Sequence, residues 1–257
     1  MGKINRVGEE RLNSFGSRMI ITKYNNRLDI DVYFPAYNWI AKNKRYDNFK
    51  KGNIKCPYER RVHGKGYIGI GEYSSKENGK KTKCYKVWHH MIGRCYDAKF
   101  QEKHPTYKEC EVCEEWHNFQ TFSQWYENNY YEIPDKVMCL DKDILVKGNK
   151  IYSPGTCVFV PQNINVLFIK RDNDRGKYPI GTHQLPSGNY EVKCKNGYGE
   201  DIYLGTYTTP QEAFRVYKQY KEKVIKEIID SYEGIIPEPY YSRVRKAMYN
   251  YEVEIDD

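Results

Sequence analysis

Asp141, Lys142, Asp143 and, further along, Asn163 have the side chains to hold a divalent cation against a phosphate. Carboxylate and amide oxygens are the hard donors that Mg2+ or Mn2+ takes, so Asp141 and Asn163 are the candidate ligands. A cation held there would activate a bound water. Lys142 lies between the two carboxylates. An exposed lysine, with an ordinary pKa of about 10.4, is protonated at neutral pH and suits a phosphate contact. It would act as a base only after strong desolvation. No histidine lies between His117 and His183. A general base would therefore come from His89, His90, His104 or His117, brought in from elsewhere in the fold. Cys110-Glu111-Val112-Cys113 has the C-x2-C spacing of a zinc knuckle. No second pair at matching spacing follows, so Cys95, Cys139 and Cys157, or His104 and His117, would have to complete the ligands. Buried reduced thiols are the simpler expectation, and zinc is the weaker one.

The elements around these residues follow from periodicity. Residues 137–140 form a short apolar piece, and Cys157, Val158, Phe159 and Val160 form a strand that Pro161 ends. Residues 162–170 open a helix. Upstream, Trp88, Met91, Ile92 and Cys95 recur at helical spacing, and Trp116, Phe119, Phe122 and Trp125 recur every three residues. Both stripes read as core. Nearer the start, MIITKY and DIDVYF read as strands, the second placing Ile30, Val32 and Phe34 on one face. A Gly- and Lys-rich connector at 63–83 reads as a solvated loop, with a flexible hairpin or a basic loop on a phosphate backbone as the other readings. Residues 171–176 form a polar linker. Beyond it, strands at 190–195 and 201–204 are joined by Asn196-Gly197, a hairpin dipeptide because both residues tolerate positive φ. Thr209-Pro210-Gln211-Glu212 reads as a capping box with proline at the first helical position. The helix it opens runs to about residue 232. Ala213, Tyr217, Tyr220, Val224 and Ile228 form its buried stripe, with Lys218, Lys221, Lys223 and Lys226 facing out. A further helix is expected at 242–251.

The 257 residues are 39% hydrophobic and 30% charged, with 26 tyrosines. Length points to two or three small domains. Tyrosine covers apolar surface while keeping a hydroxyl, which suits small, partly wet cores. The net charge of +8 favours a polyanionic partner through counterion release. No apolar run approaches the roughly 18 residues of a membrane span, and the opening residues lack the apolar stretch of a signal peptide. A cytoplasmic location is therefore expected, where the eight cysteines would be reduced.

The segment 178–234 resembles the DNA-binding domain of the Apetala/ethylene-response-factor family. The resemblance rests on Gly181, Ser187-Gly188-Asn189-Tyr190, Val192, Leu204-Gly205-Thr206-Tyr207, Thr209-Pro210-Gln211-Glu212-Ala213 and Tyr217. It implies a three-stranded sheet that lies in the major groove, backed by one helix. Bases would be read by side chains on the outer face; the candidates are His183, Gln184, Asn189, Glu191, Lys193, Lys195 and Tyr203. Tyr190 stands where that family has Trp, and the strands carry no Arg.

The segment 84–172 resembles phage proteins linked to HNH endonucleases, through Trp88, Met91, Arg94-Cys95-Tyr96, Val112-Cys113, Trp116, Phe119, Phe122, Leu140-Asp141-Lys142-Asp143, Asn149, Tyr152-Ser153-Pro154, Cys157 and Asn163. Lys142 occupies the position of the first HNH histidine. Residues 1–62 are similar to a module found beside this one, through Gly8, Asn13, Gly16, Met19, Ile21, Asp29-Ile30, Phe34, Tyr46, Phe49 and Gly52. These likenesses imply a phage or prophage protein acting in a bacterial host.

The expected architecture is α+β and multi-module: a basic β unit (1–62), the connector (63–83), an HNH-like α+β unit (84–172), the Apetala-type sheet and helix (178–234) and a helical, acidic tail (235–257). The expected function is double-stranded DNA binding by a degenerate HNH-like scaffold. Lys42, Lys44, Arg45, Lys50, Lys51 and Lys55 would supply backbone contacts, with Lys80, Lys81 and Lys83 from the connector. One alternative is a metal-dependent nicking or homing endonuclease. Another is a phage protein that binds and blocks a host defence complex through tyrosine-rich surfaces.

Overall fold

Alternating polar and apolar residues build the first sheet. Strands β1 (Glu10–Leu12), β2 (Arg18–Asn26), β3 (Asp29–Phe34) and β4 (Trp39–Lys44) pair antiparallel in chain order. Ile30, Val32 and Phe34 of β3 are fully buried, as their period-2 spacing predicts. Met19 and Ile21 from β2 and Ala41 from β4 join them, and helix α1 (Tyr46–Lys50) seals this core with Tyr46 and Phe49. This computed structural model describes residues 5–169 and 178–255. The chain divides into two units, Met1–Tyr126 and Glu127–Asp257. The expected middle module, 84–172, spans that division, and the expected linker at 171–176 lies outside the described residues.

Within the first unit, the connector is not a solvated loop throughout. Its distal end is a hairpin, β5 (Lys76–Glu77) and β6 (Lys80–Lys81), turning on Asn78 and Gly79, both at positive φ. Its proximal end is packed: Val62, Gly66 and Gly69 are buried. Gly66 lies so close to Trp88 that a Cβ would sit 2.8 Å from the indole. The Tyr67 N–H donates to the His117 carbonyl, and the Phe119 N–H donates to the Tyr67 carbonyl, each at 2.9 Å. The glycines that made the stretch look mobile are what let its backbone approach an aromatic ring.

Helix α2 (Lys83–Tyr96) starts where the Thr82 hydroxyl accepts the Tyr85 N–H, and it buries Trp88, Met91, Ile92 and Cys95 as expected. The Trp88 indole N–H donates to the Trp116 carbonyl at 2.7 Å. Helix α3 (Ala98–Lys103), capped by Asp97, and the short strand β7 (Glu111–Val112) follow. The aromatic stripe from Trp116 to Trp125 is not one helix. Trp116 belongs to a 3-10 turn at Glu114–His117, and helix α4 (Phe119–Asn129) begins after it. Asn118 between them is extended, and its side-chain oxygen accepts the Gln120 N–H at 3.0 Å, which starts a new helix there. Trp116 still packs on Phe122 and Trp125.

The second unit contains β8 (Met138–Asp141), β9 (Ile151–Tyr152), β10 (Val158–Pro161) and helix α5 (Gln162–Asn165). Strands β8 and β10 pair antiparallel. A three-stranded antiparallel sheet follows: β11 (Thr182–Gln184), β12 (Tyr190–Lys195) and β13 (Asp201–Tyr207), with β12 central. Helix α6 (Pro210–Asp230) packs across β12, and helix α7 (Tyr240–Tyr249) packs on α6. Two expectations are corrected here. The β12–β13 connection is a five-residue loop, not a two-residue Asn-Gly turn. The Asn196 side chain accepts the N–H groups of Tyr198 and Glu200, so it folds the loop back on itself. The buried stripe of α6 is also wider than expected: Ile225 and Ile229 are buried and Tyr220 is only half-buried. The reason is α7, whose Tyr241, Val244 and Met248 enter the same core. The C-terminal segment is thus part of that core. The architecture is α+β with several small antiparallel sheets. Among the described residues, no helix is long and apolar enough to cross a membrane.

Candidate nucleic-acid interface

Strand alternation gives the three-stranded sheet two unlike faces. Val192 and Cys194 of β12 are buried beneath α6. Glu191, Lys193 and Lys195 point to the opposite side, where β-ladder pairing sets them beside Thr206, Tyr203 and Asp201 of β13. His183 of β11 pairs with Glu191, so it shares this outer face. His183, Lys193, Lys195 and Thr206 are exposed, as is Asn189 at the start of β12, and Tyr203 is 57% exposed. The Lys193 ammonium lies 2.9 Å from Glu191, and the Tyr203 and Thr206 hydroxyls are 2.8 Å apart. Gln184 leaves the expected set. One residue past His183, it turns to the other side, where its amide oxygen accepts the Tyr178 hydroxyl and its nitrogen donates to Tyr190 Oη at 3.4 Å. Thr206 and Asp201 also belong to this face, although neither was expected there from the sequence. Counting by twos back from Tyr203 reaches Asp201; the bulge at Val192/Lys193 shifts the register at Thr206.

The helix behind this sheet is well anchored. The Thr209 hydroxyl accepts the Glu212 N–H at 3.3 Å and donates to the Glu212 carboxylate at 3.1 Å, so the expected cap is formed. Hydrogen bonds from Thr208 and Thr209 hold the Glu212 carboxyl below its ordinary range. Gly181 sits at φ +75 directly against Tyr217 of α6, where a Cβ would fall 2.0 Å from the ring.

The positive charge is on the other unit. Residues 1–126 hold 24 Lys and Arg against 14 Asp and Glu, a net of +10; residues 127–257 hold 18 against 20, a net of −2. Lys42, Arg45, Lys50, Lys51 and Lys55 are exposed, and Lys44 is half-buried. Lys80 and Lys81 stand exposed on the β5–β6 hairpin, with the Lys81 ammonium 5.5 Å from the centre of the Tyr85 ring.

The candidate catalytic residues are differently engaged. Asp141, at the end of β8, is buried, and one of its oxygens accepts the N–H groups of Asp143 and Ile144 at 2.8 and 2.7 Å. Burial, and then the Asp143 charge, push its acid up to about 7. Lys142 is buried rather than exposed, with its ammonium 3.0 Å from Asp143. Asn163, on α5, accepts the Tyr232 hydroxyl at 2.7 Å through its amide oxygen. One Asp141 oxygen thus closes a turn, and the Asn163 amide oxygen is engaged by Tyr232. Among the described residues, no group of three or more His, Cys, Asp or Glu is placed to hold a metal. Cys110 is buried with its thiol 3.7 Å from the Thr106 carbonyl, and burial pushes the Cys113 thiol up to about 11. The eight cysteines are thiols rather than disulfides.

Of the histidines of the first unit, His117 is buried, His63 and His89 are half-buried, and His90 and His104 are exposed. His63, at positive φ, lies 3.3 Å from Asp97 and 5.2 Å from the His89 ring centre. His117 is buried between Glu114, at 2.9 Å, and the Tyr96 hydroxyl, at 3.3 Å. Burial holds His89, His90 and His117 below the ordinary histidine range. His104 stacks on Phe100 at 4.4 Å. Comparison of the chain with protein-family models, with curated proteins and with solved structures gave no match.

Proposed function

We propose that this protein binds double-stranded DNA, with the outer face of β11–β12–β13 set against the duplex and the basic first unit supplying phosphate contacts. The observation that carries this reading is the two-sidedness of the sheet. One face is sealed by a capped helix, and the other presents His183, Lys193, Lys195, Tyr203 and Thr206 to solvent. A rigid, helix-backed sheet is a structure that can enter the major groove. The resemblance to the Apetala/ethylene-response-factor domain supports the same placement. Glu191 and Asp201 share the face, so the sheet favours positioning and hydrogen bonding over raw attraction. The attraction is assigned to the unit with a net of +10.

A mobility shift with duplex DNA at two salt concentrations tests this. Affinity should fall steeply with salt. Replacing both Lys193 and Lys195 with Ala should weaken binding and lower the salt slope by about 2, roughly one for each lysine removed from a phosphate. No shift even at low salt would refute DNA binding and favour a host protein partner. Incubation with plasmid and Mg2+ or Mn2+ should leave it intact. Cleavage that disappears in chelator and in Asp141→Ala would instead establish an endonuclease.

A further inference from the structure

A second feature of the first unit has no part in that reading. A cleft of about 490 Å³ is lined by Ala36, Tyr37, Asn38, Trp39, Tyr58, Arg60 and Tyr67. Four of these seven are aromatic, and each aromatic is half-buried. The left-handed backbone of Asn38 turns the chain from the Pro35–Tyr37 turn into β4 and brings Tyr37 and Trp39 to one edge. Trp39 rests on the buried Phe34 at 5.6 Å, which fixes its ring. The Tyr58 and Tyr67 rings, 6.1 Å apart, form the other side.

Arg60 carries the cleft's charge, and its position is set in advance. One terminal nitrogen donates to Glu114 at 2.7 Å, and the other donates to the Lys65 carbonyl at 3.3 Å. The guanidinium lies 5.6 Å from the centre of the Tyr67 ring. A planar cation held this way serves as a stacking surface without a large ordering penalty. Aromatic cages also take quaternary ammonium groups, but a fixed guanidinium in the lining opposes a cationic ligand. A flat, neutral ring on an anionic chain meets no such opposition, and the net charge of the unit draws it in.

We propose that this cleft is a stacking site for a base of a single-stranded nucleic acid. The volume lies within the range of about 300–1,000 Å³ typical of ligand pockets. A base stacked on aromatic side chains tightens binding by about tenfold or more. The site does not depend on the sheet of the second unit.

The test uses the full chain and fluorescence anisotropy of labelled short strands: oligothymidylate, oligouridylate and an abasic strand of equal length. At least one base-bearing strand should bind about tenfold tighter than the abasic one, whose phosphates are the same. Tyr58→Ala should erase that difference and leave abasic binding unchanged, while Tyr58→Phe should preserve it. Equal affinity for base-bearing and abasic strands overturns the proposal, as does a Tyr58→Ala protein that still discriminates. The Lys193→Ala, Lys195→Ala protein should keep the difference, which separates failure here from failure of duplex binding by the sheet.

Discussion

The side-chain amide of Asn13 donates to the carboxylate of Glu59, 46 residues further along the chain and completely buried. The same carboxylate accepts the Cys56 N–H at 3.3 Å and the Arg61 Nε–H at 2.7 Å. Asn13 also donates to the Ile54 carbonyl and accepts two N–H groups of its own loop, from Phe15 and Ser17. Removing Glu59 would strand buried donors and Arg61 together. Glu59→Ala should therefore lower stability by about 3 kcal/mol, and Glu59→Gln, which keeps an acceptor, should lower it by less. Urea unfolding monitored by circular dichroism measures both; an unchanged midpoint in Glu59→Ala would show that the network is not stabilising.

Asp141 predicts the direction of a pH effect in the second unit. Its folded acid titrates near 7, held up by burial and Asp143, whereas in the unfolded chain it titrates near 3.9. Between those values the unfolded chain has lost a proton that the folded chain retains, so this group's contribution to stability falls as pH rises. Asp141→Asn keeps the oxygen that accepts the Asp143 and Ile144 N–H groups but cannot ionise. Its urea midpoint should change less than the wild type's between about pH 4 and pH 7. Equal changes in the two proteins would contradict the assignment.

The first unit should respond with the opposite sign. His89, His90 and His117 are held below their ordinary values, chiefly by burial. Below about pH 6.5 the unfolded chain takes up protons that these folded imidazoles refuse, so stability falls with the pH. Replacing His89 and His90 with Gln should flatten this acid limb in a series of urea titrations. A limb that is just as steep would place its origin in other groups.

Two glycines separate collision from backbone strain. Gly181 and Gly188 both have positive φ, but only at Gly181 would a Cβ meet a neighbour, the Tyr217 ring at 2.0 Å. Gly188→Ala should lose about 1–2 kcal/mol, the strain of a left-handed residue. Gly181→Ala should lose clearly more, since the ring must also move. Thermal unfolding of both variants decides this, and equal losses would mean that the helix yields freely.

The cap of α6 is worth less. Thr209→Ala removes the acceptor for the Glu212 N–H and should lower stability by about 1 kcal/mol. Circular dichroism melts resolve such a change, and a loss near zero would show that Glu212 alone secures the helix start.

The local signals in the sequence were faithful where one interaction decides the outcome. The period of Ile30, Val32 and Phe34, the Thr209 cap and the buried run at Trp88, Met91 and Ile92 appear as read. What depended on a distant partner was not legible. Ile225 and Ile229 fall beside the expected stripe of α6, and α7 extends the core over them. Gly66 looks like a loop residue until Trp88 lies against it. At Asp141 the residue type is legible in the sequence, but only the fold shows that one of its oxygens accepts two backbone N–H groups. The aromatic cleft is not legible in the sequence, because Trp39 and Tyr67 are 28 residues apart and each alone resembles a core residue.

All four tryptophans, Trp39, Trp88, Trp116 and Trp125, lie within residues 1–126, and none lies in 127–257. Indole emission is therefore a label for one half of the molecule that nature has already installed. Trp88 and Trp116 are fully buried, so their spectrum should shift to the red only when the first unit opens. Backbone ellipticity follows both halves. A single denaturant titration read in both channels shows whether the halves melt as one or in turn, with no probe added and no residue changed.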